Sequence, residues 1–263
     1  MSSGRISKKN ENLSPEELLA GELDAEVAKN QGTRWGFVSV SPNTSFVQHT
    51  HCGDRNLEEA TAFVAGVKHK SVGNTPLAAS DDWFYEKALL SSYGKWVTPV
   101  YKGRGRPPLP VLCPLPDLCY VQVVKTRDEK GRLIEKSTRI VYGTAEKIAE
   151  HYANATRSKH INTDYVESRN GKFRKDNSRL VRKTLCVSKK AIFHDAMIIL
   201  LAQTYNYCQP VAALKRVINP TAARFEQKYE QISAAMAEGL IDKILTIKQL
   251  LFRRPQIRID IQT

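Results

Sequence analysis

Apolar positions in this chain recur with two periods, and each period marks a kind of element. Residues 34–52, RWGFVSVSPNTSFVQHTHC, alternate apolar and polar side chains on both sides of a Pro-Asn step. That pattern predicts two strands joined as a hairpin. Residues 56–68 place apolar side chains three and four apart behind Asn56, which predicts an amphipathic helix capped by that residue. TPLAAS (75–80) reads as a short buried strand ending at Asp81, and 82–93 as a helix stopped by Gly94. Strand, strand, helix, strand, helix is an α/β order.

The pattern loosens between 99 and 117, where Pro and Gly break up a basic knot, YKGRGRPPLP. Alternation returns over 119–143, a predicted hairpin turning near Glu129-Lys130-Gly131, and a helix over 144–155 follows. Residues 193–208, FHDAMIILLAQTYNYC, form an apolar helix suited to a core, and 221–252 hold two further helical stretches. At the N-terminus, Ser14 and Glu17 have capping-box spacing before a short helix, SPEELLAGEL. These readings divide the chain into a polar leader (1–20), an α/β core (21–210) and a helical extension (211–263).

Charge adds a partner to this picture. The 263 residues carry 40 Lys and Arg against 27 Asp and Glu, a formal net charge of +13. With 41% hydrophobic residues the chain can bury a core, so the surplus belongs to a folded surface rather than a disordered tail. A polyanion is the expected partner, with nucleic acid first among them. There is no apolar run of the roughly 20 residues a membrane helix needs, and no signal-peptide core, which predicts a cytoplasmic protein without membrane association. The cysteines (52, 113, 119, 186, 208) form no CxxC pair, so neither a disulfide framework nor a zinc ribbon is expected. His49-Thr-His51-Cys52 reads as a strand with residues on two faces rather than a metal site.

The chemistry concentrates in residues 161–190, INTDYVESRNGKFRKDNSRLVRKTLCVSKK. Glu167 stands at the head of a helix that then turns almost wholly basic. A carboxylate beside a row of cations suits a metal-dependent enzyme working on a phosphodiester backbone: the acid holds the metal, the cations hold flanking phosphates. On that helix Glu167, Asn170 and Arg174 share one face. A two-metal site needs carboxylates from several elements converging on ions about 3.5–4 Å apart. Asp81, at the end of a buried strand, is the second candidate, although Asp81 and Asp82 equally suit a helix cap. Asp24 in GELDAEVA is the third, with Glu22, Glu26 and Asp54 as rivals. The bland alternative throughout is a solvated, charged helix.

Several pieces, in order, resemble one family. They are RWGFVSV, THCGDRNLEEA, AASDDWFYEKALLSSYG, GRGRPPLP, DLCYVQVVKTRDEKGRLI, INTDYVESRN with RLVRKTL and SKK, TYNYCQP, and AAMAEGLIDKILTIKQLLF. Across roughly residues 34–252 the chain resembles bacterial insertion-sequence transposases with a DDE catalytic core, in particular the compact class whose core ends in a V-E-R-x-N helix. The resemblance implies an RNase H-like α/β fold: a mixed sheet flanked by helices, with the 119–143 hairpin inserted before the last acid. It implies two Mg²⁺ or Mn²⁺ ions, held by Asp24, Asp81 and Glu167 as catalytic residues. It further implies DNA contacts from Asn170, Arg174, Arg179, Arg182 and Lys183. Lys102 and Lys172 are further candidate contacts, as are Arg104 and Arg106 of the basic loop, for which a plain solvated loop is the equal alternative.

The implied activity is cleavage of element ends and strand transfer into double-stranded target DNA, by a homo-oligomer at the bacterial nucleoid. Around Asp24 the chain reads AEVAKNQG in place of the family's Asp-Glu-leucine/isoleucine-tryptophan strand. The first 33 residues also lack the family's recognition domain. The alternative expectation is therefore a truncated, inactive remnant that only binds DNA, and a third is an unrelated nuclease on the same scaffold.

Overall fold

A computed structural model describes residues 2–5, 14–23, 33–71, 77–81, 83–101, 103, 105–158, 160–181, 186, 188, 190–222 and 225–252. The chain is mixed α/β, with eight α-helices and several small sheets among those residues. In order the elements are β1 (Ser2–Arg5), α1 (Pro15–Leu23), β2 (Thr33–Val40), β3 (Val47–Gly53), α2 (Leu57–Lys70), β4 (Leu77–Ser80) and α3 (Tyr85–Tyr93). Then follow β5 (Gly94–Val97), β6 (Val111–Pro114), β7 (Cys119–Arg127), β8 (Leu133–Tyr142), α4 (Ala145–Ala153) and α5 (Asp164–Asp176). A 3₁₀ turn (Ser178–Leu180), α6 (Ala191–Cys208), β9 (Pro210–Val217), β10 (Tyr229–Ser233), α7 (Ala234–Ala237) and α8 (Ile247–Phe252) are the last elements among the described residues.

Strands β1, β2 and β3 form an antiparallel sheet. Alternation along β2 sends successive side chains to opposite faces. Phe37 packs with Phe63 and Val64 of α2 and Ala88 and Leu89 of α3. Its neighbour Val38 packs with Phe173 of α5 and Ile198 and Ala202 of α6. One sheet is thus covered on both faces. The mixed sheet has the order β4-β7-β8, with β4 parallel and β8 antiparallel to β7. Here too the alternation splits the strand: Tyr120 joins the α2–α3 side, while Cys119 and Val121 meet Ile148 of α4.

Local chemistry sets the element ends. Ser14 N–H donates to Glu17 Oε2 at 2.8 Å and Glu17 N–H to Ser14 Oγ at 3.2 Å, the reciprocal capping box. Asn56 Oδ1 accepts from Glu59 N–H at 2.8 Å and so caps α2. In the β7–β8 turn Gly131 has φ +78°, a left-handed conformation that costs glycine little, and its N–H donates to Asp128 O at 2.9 Å.

Three expectations change. The leader contains a strand, β1, paired to Thr33–Gly36. The 119–143 hairpin forms, but its first strand is the middle strand of the mixed sheet, because Cys119, Tyr120, Val121 and Val123 are all buried there. Among the described residues the C-terminal region is less helical than its sequence suggests: β9 and β10 pair antiparallel, and its helices are the short α7 and α8. Backbone pairing between 210–217 and 229–233 outweighs the modest helix propensity of that stretch.

Candidate functional site

Asp81 follows β4 directly, and Ser80 is in register with Gln122 of the parallel neighbour β7. A residue there leaves the sheet at a carboxyl end, where side chains project into open space. The helix after it begins at Tyr85; Phe84 is the N-cap and makes no side-chain cap bond, so Asp81 does not cap it. Instead its Oδ2 lies 3.6 Å from Lys125 Nζ. Lys125 sits on β7 two residues past buried Val123, on the same strand face, where the strand leaves the core.

Glu167 lies within the first turn of α5, where a carboxylate is favoured by the exposed N–H groups of the helix start. Thr163, the N-cap residue, donates its hydroxyl to Glu167 Oε1 at 2.9 Å. Lys125 Nζ pairs with the same oxygen and lies 3.3 Å from Thr163 Oγ1. One ammonium thus joins two carboxylates carried by different elements. Partial burial disfavours the charged form of Glu167, but hydrogen bonds from Lys125 and Thr163 and the charges of Lys125 and Lys136 outweigh it, leaving its pKa below the ordinary value. For Lys125, desolvation is likewise outweighed by Glu167 and Asp81, and its pKa is raised.

Both acids line a cavity of about 370 Å³ walled by β2, β4, α2, α3 and the start of α5. Tyr93, whose buried hydroxyl has no hydrogen-bond partner, borders the same space. The cavity lies between β4, the outer strand of its sheet, and the Val38–Val40 end of β2.

The basic residues divide by environment. Asn170 is only 2% exposed and its Oδ1 has no partner, so it faces the protein interior rather than a duplex. Beside it Arg169 is buried with its guanidinium 3.3 Å from the Tyr205 ring centroid. Lys172 pairs with Asp176 at 2.9 Å, a turn further along the helix. Arg174 and Arg179 are half-buried, while Arg106 is exposed on the loop between β5 and β6. Asp24, Lys102, Arg104, Arg182 and Lys183 lie outside the described residues.

Sequence reasoning missed Lys125. Its signal was present: a lysine continuing the apolar alternation CYVQVVK places an ammonium at the rim of a buried strand. The residues His49, His51 and Cys52 take separate partners. His49 stacks on Phe63 at 5.7 Å, His51 Nε2 lies 2.5 Å from Glu59 Oε2, and Cys52 is buried with Val38 and Ile198.

Among the described residues no group of three or more His, Cys, Asp or Glu side chains converges as a metal cluster. Asp81 and Glu167 nevertheless fit one divalent ion, since they already share one cation and Mg²⁺ keeps several of its waters. A second ion would need a further carboxylate, the part expected of Asp24. Among the described residues no helix is long and apolar enough to cross a membrane. No family model, curated protein or solved structure matches this chain.

Proposed function

We propose that this chain is a DNA transposase of the insertion-sequence type, built on an RNase H-like core. The observation that carries the reading is the convergence of Asp81, at the end of β4, with Glu167, at the head of a basic helix. Antiparallel β2–β3 and parallel β4–β7, with one acid at a strand end and one on a helix start, support the finer fold. Asp81 and Glu167 bind divalent metal in this reading, with Asp24 as the third ligand of a two-ion Mg²⁺ or Mn²⁺ site. When bound, such ions polarise a phosphodiester and activate the attacking oxygen. Arg106, Lys172, Arg174 and Arg179 hold duplex DNA by its phosphates, with Lys102, Arg104, Arg182 and Lys183. The enzyme acts as a homo-oligomer on element ends and target, in the bacterial cytoplasm. The inactive DNA-binding remnant is favoured by one observation: Lys125 occupies the position between the acids, and the described residues supply only two of the three carboxylates.

Nicking and strand transfer on a duplex carrying the element's ends, in Mg²⁺ and Mn²⁺, separate the two readings. The transposase reading expects metal-dependent cleavage that disappears in Glu167→Gln while DNA binding persists. Salt-sensitive binding without cleavage by either protein would establish the remnant. Loss of both binding and cleavage in the wild type would remove both.

A further inference from the structure

The acidic pair carries its own cation. Lys125 reaches Asp81 Oδ2, Glu167 Oε1 and Thr163 Oγ1, so each of its three donors has an oxygen within reach. Exposure distinguishes the partners: the Lys125 side chain is 18% exposed, those of Asp81 and Glu167 are 44% and 51%. Both carboxylates border the cavity and are the more exposed partners, while the lysine side chain is the less exposed one. An ion arriving at these carboxylates must compete with a charge already in place.

We propose that Lys125 is the resident counter-cation of the Asp81–Glu167 pair, and that a divalent ion binds there by displacing its ammonium. Two carboxylates facing one another repel, and Lys125 holds them together while no metal is bound. The same contact opposes metal, since the incoming ion must break an ion pair to form its own bonds. Lys125 thus sets the metal concentration at which the site fills. This inference rests on the metal-dependent reading of the site. Lys125 acts here as a positioning residue, through the two acids and not on the substrate.

Mn²⁺ affinity of the 263-residue chain, measured by titration calorimetry without DNA, tests it on wild type, Lys125→Met, Lys125→Gln and Lys125→Arg. The neutral variants are expected to bind Mn²⁺ at least about tenfold more tightly, within the range typical of coupled sites, and Lys125→Arg to bind as wild type does. Asp81→Asn combined with Lys125→Met should abolish the gain. If Lys125→Met fails to fold, the comparison of Lys125→Gln with Lys125→Arg decides. Equal or weaker Mn²⁺ binding by the neutral variants, or no binding by any protein, overturns the proposal. Tighter binding with no DNA cleavage would leave it standing and remove the transposase reading. Cleavage by wild type without that tightening would do the reverse.

Discussion

His49 shows how far one side chain's behaviour depends on what lies across from it. On β3 it belongs to an alternating strand, yet its ring lies at 11° to that of Phe63 on α2. Gly66, one turn further along α2, permits the approach: a Cβ there would stand 2.1 Å from His49 Nε2. Burial, with help from the charges of Lys70 and His51, lowers the His49 pKa from 6.5 to about 4. The unfolded chain therefore binds a proton at a pH where the folded chain refuses it. His49 contributes no pH dependence above about pH 6.5; stability then falls between 6.5 and 4 and levels off below. His194, also lowered chiefly by burial, adds to the same slope. Denaturation midpoints measured across that window should decline in the wild type and decline less in His49→Phe, which keeps a stacking ring. An identical slope in the variant would mean that His49 titrates as it does unfolded. At this scale the sequence marked Asp81 and Glu167 as candidates from their neighbours, and the structure pairs both with Lys125. Asn170 was not read correctly, because its inward rotation depends on how α5 packs against β2 and α6.

At the scale of elements, α6 is apolar on nearly all sides, which marks it as a core helix without saying what it packs against. The contact is made by Asn206, fully buried, which accepts from Val47 N–H and donates to Val47 O, both at 2.9 Å. Arg34 adds a second tie from β2, its guanidinium lying 2.7 Å from both oxygens of Asp195. Replacing Asn206 by Leu strands two backbone groups that otherwise cost about 1–3 kcal/mol each when unpaired. The expected loss is at least about 2 kcal/mol in chemical denaturation, and a loss under about 0.5 kcal/mol would show that water or a shift of β3 satisfies Val47 instead. Helices with caps were legible to within a few residues, as at α1 and α2, since a cap is a local bond. Strands β9 and β10 were not, since each is defined only by pairing with the other.

For the whole molecule, a net charge of +13 bears on association rather than on the fold. If the basic residues of α5 and the β5–β6 loop meet phosphates, affinity for a generic duplex should fall more than about tenfold between 50 and 200 mM salt, given counterion release at a few contacts. Fluorescence anisotropy measures this directly, and salt-insensitive binding would contradict a phosphate-based interface. Glu167→Gln should show the same salt slope, because the substitution removes no cation. The two three-stranded sheets also belong to this scale. The β1–β2–β3 sheet is covered by helices on both faces, whereas β8 of the mixed sheet is exposed along most of its length. The acids meet where β4 and the start of α5 approach the middle strand β7.

The sequence by itself determined the order and type of most elements between 34 and 208, the Asn56 cap of α2 and the net positive charge. These follow from periodicity, capping and charge, which act over a turn or a strand pair. Only the tertiary structure decided that the 119–143 hairpin contributes a central strand, that Asn170 faces inward, and that Asp81 and Glu167 share Lys125. Those outcomes join residues tens of positions apart in the chain, and no local pattern carries a contact set by the packing of separate elements.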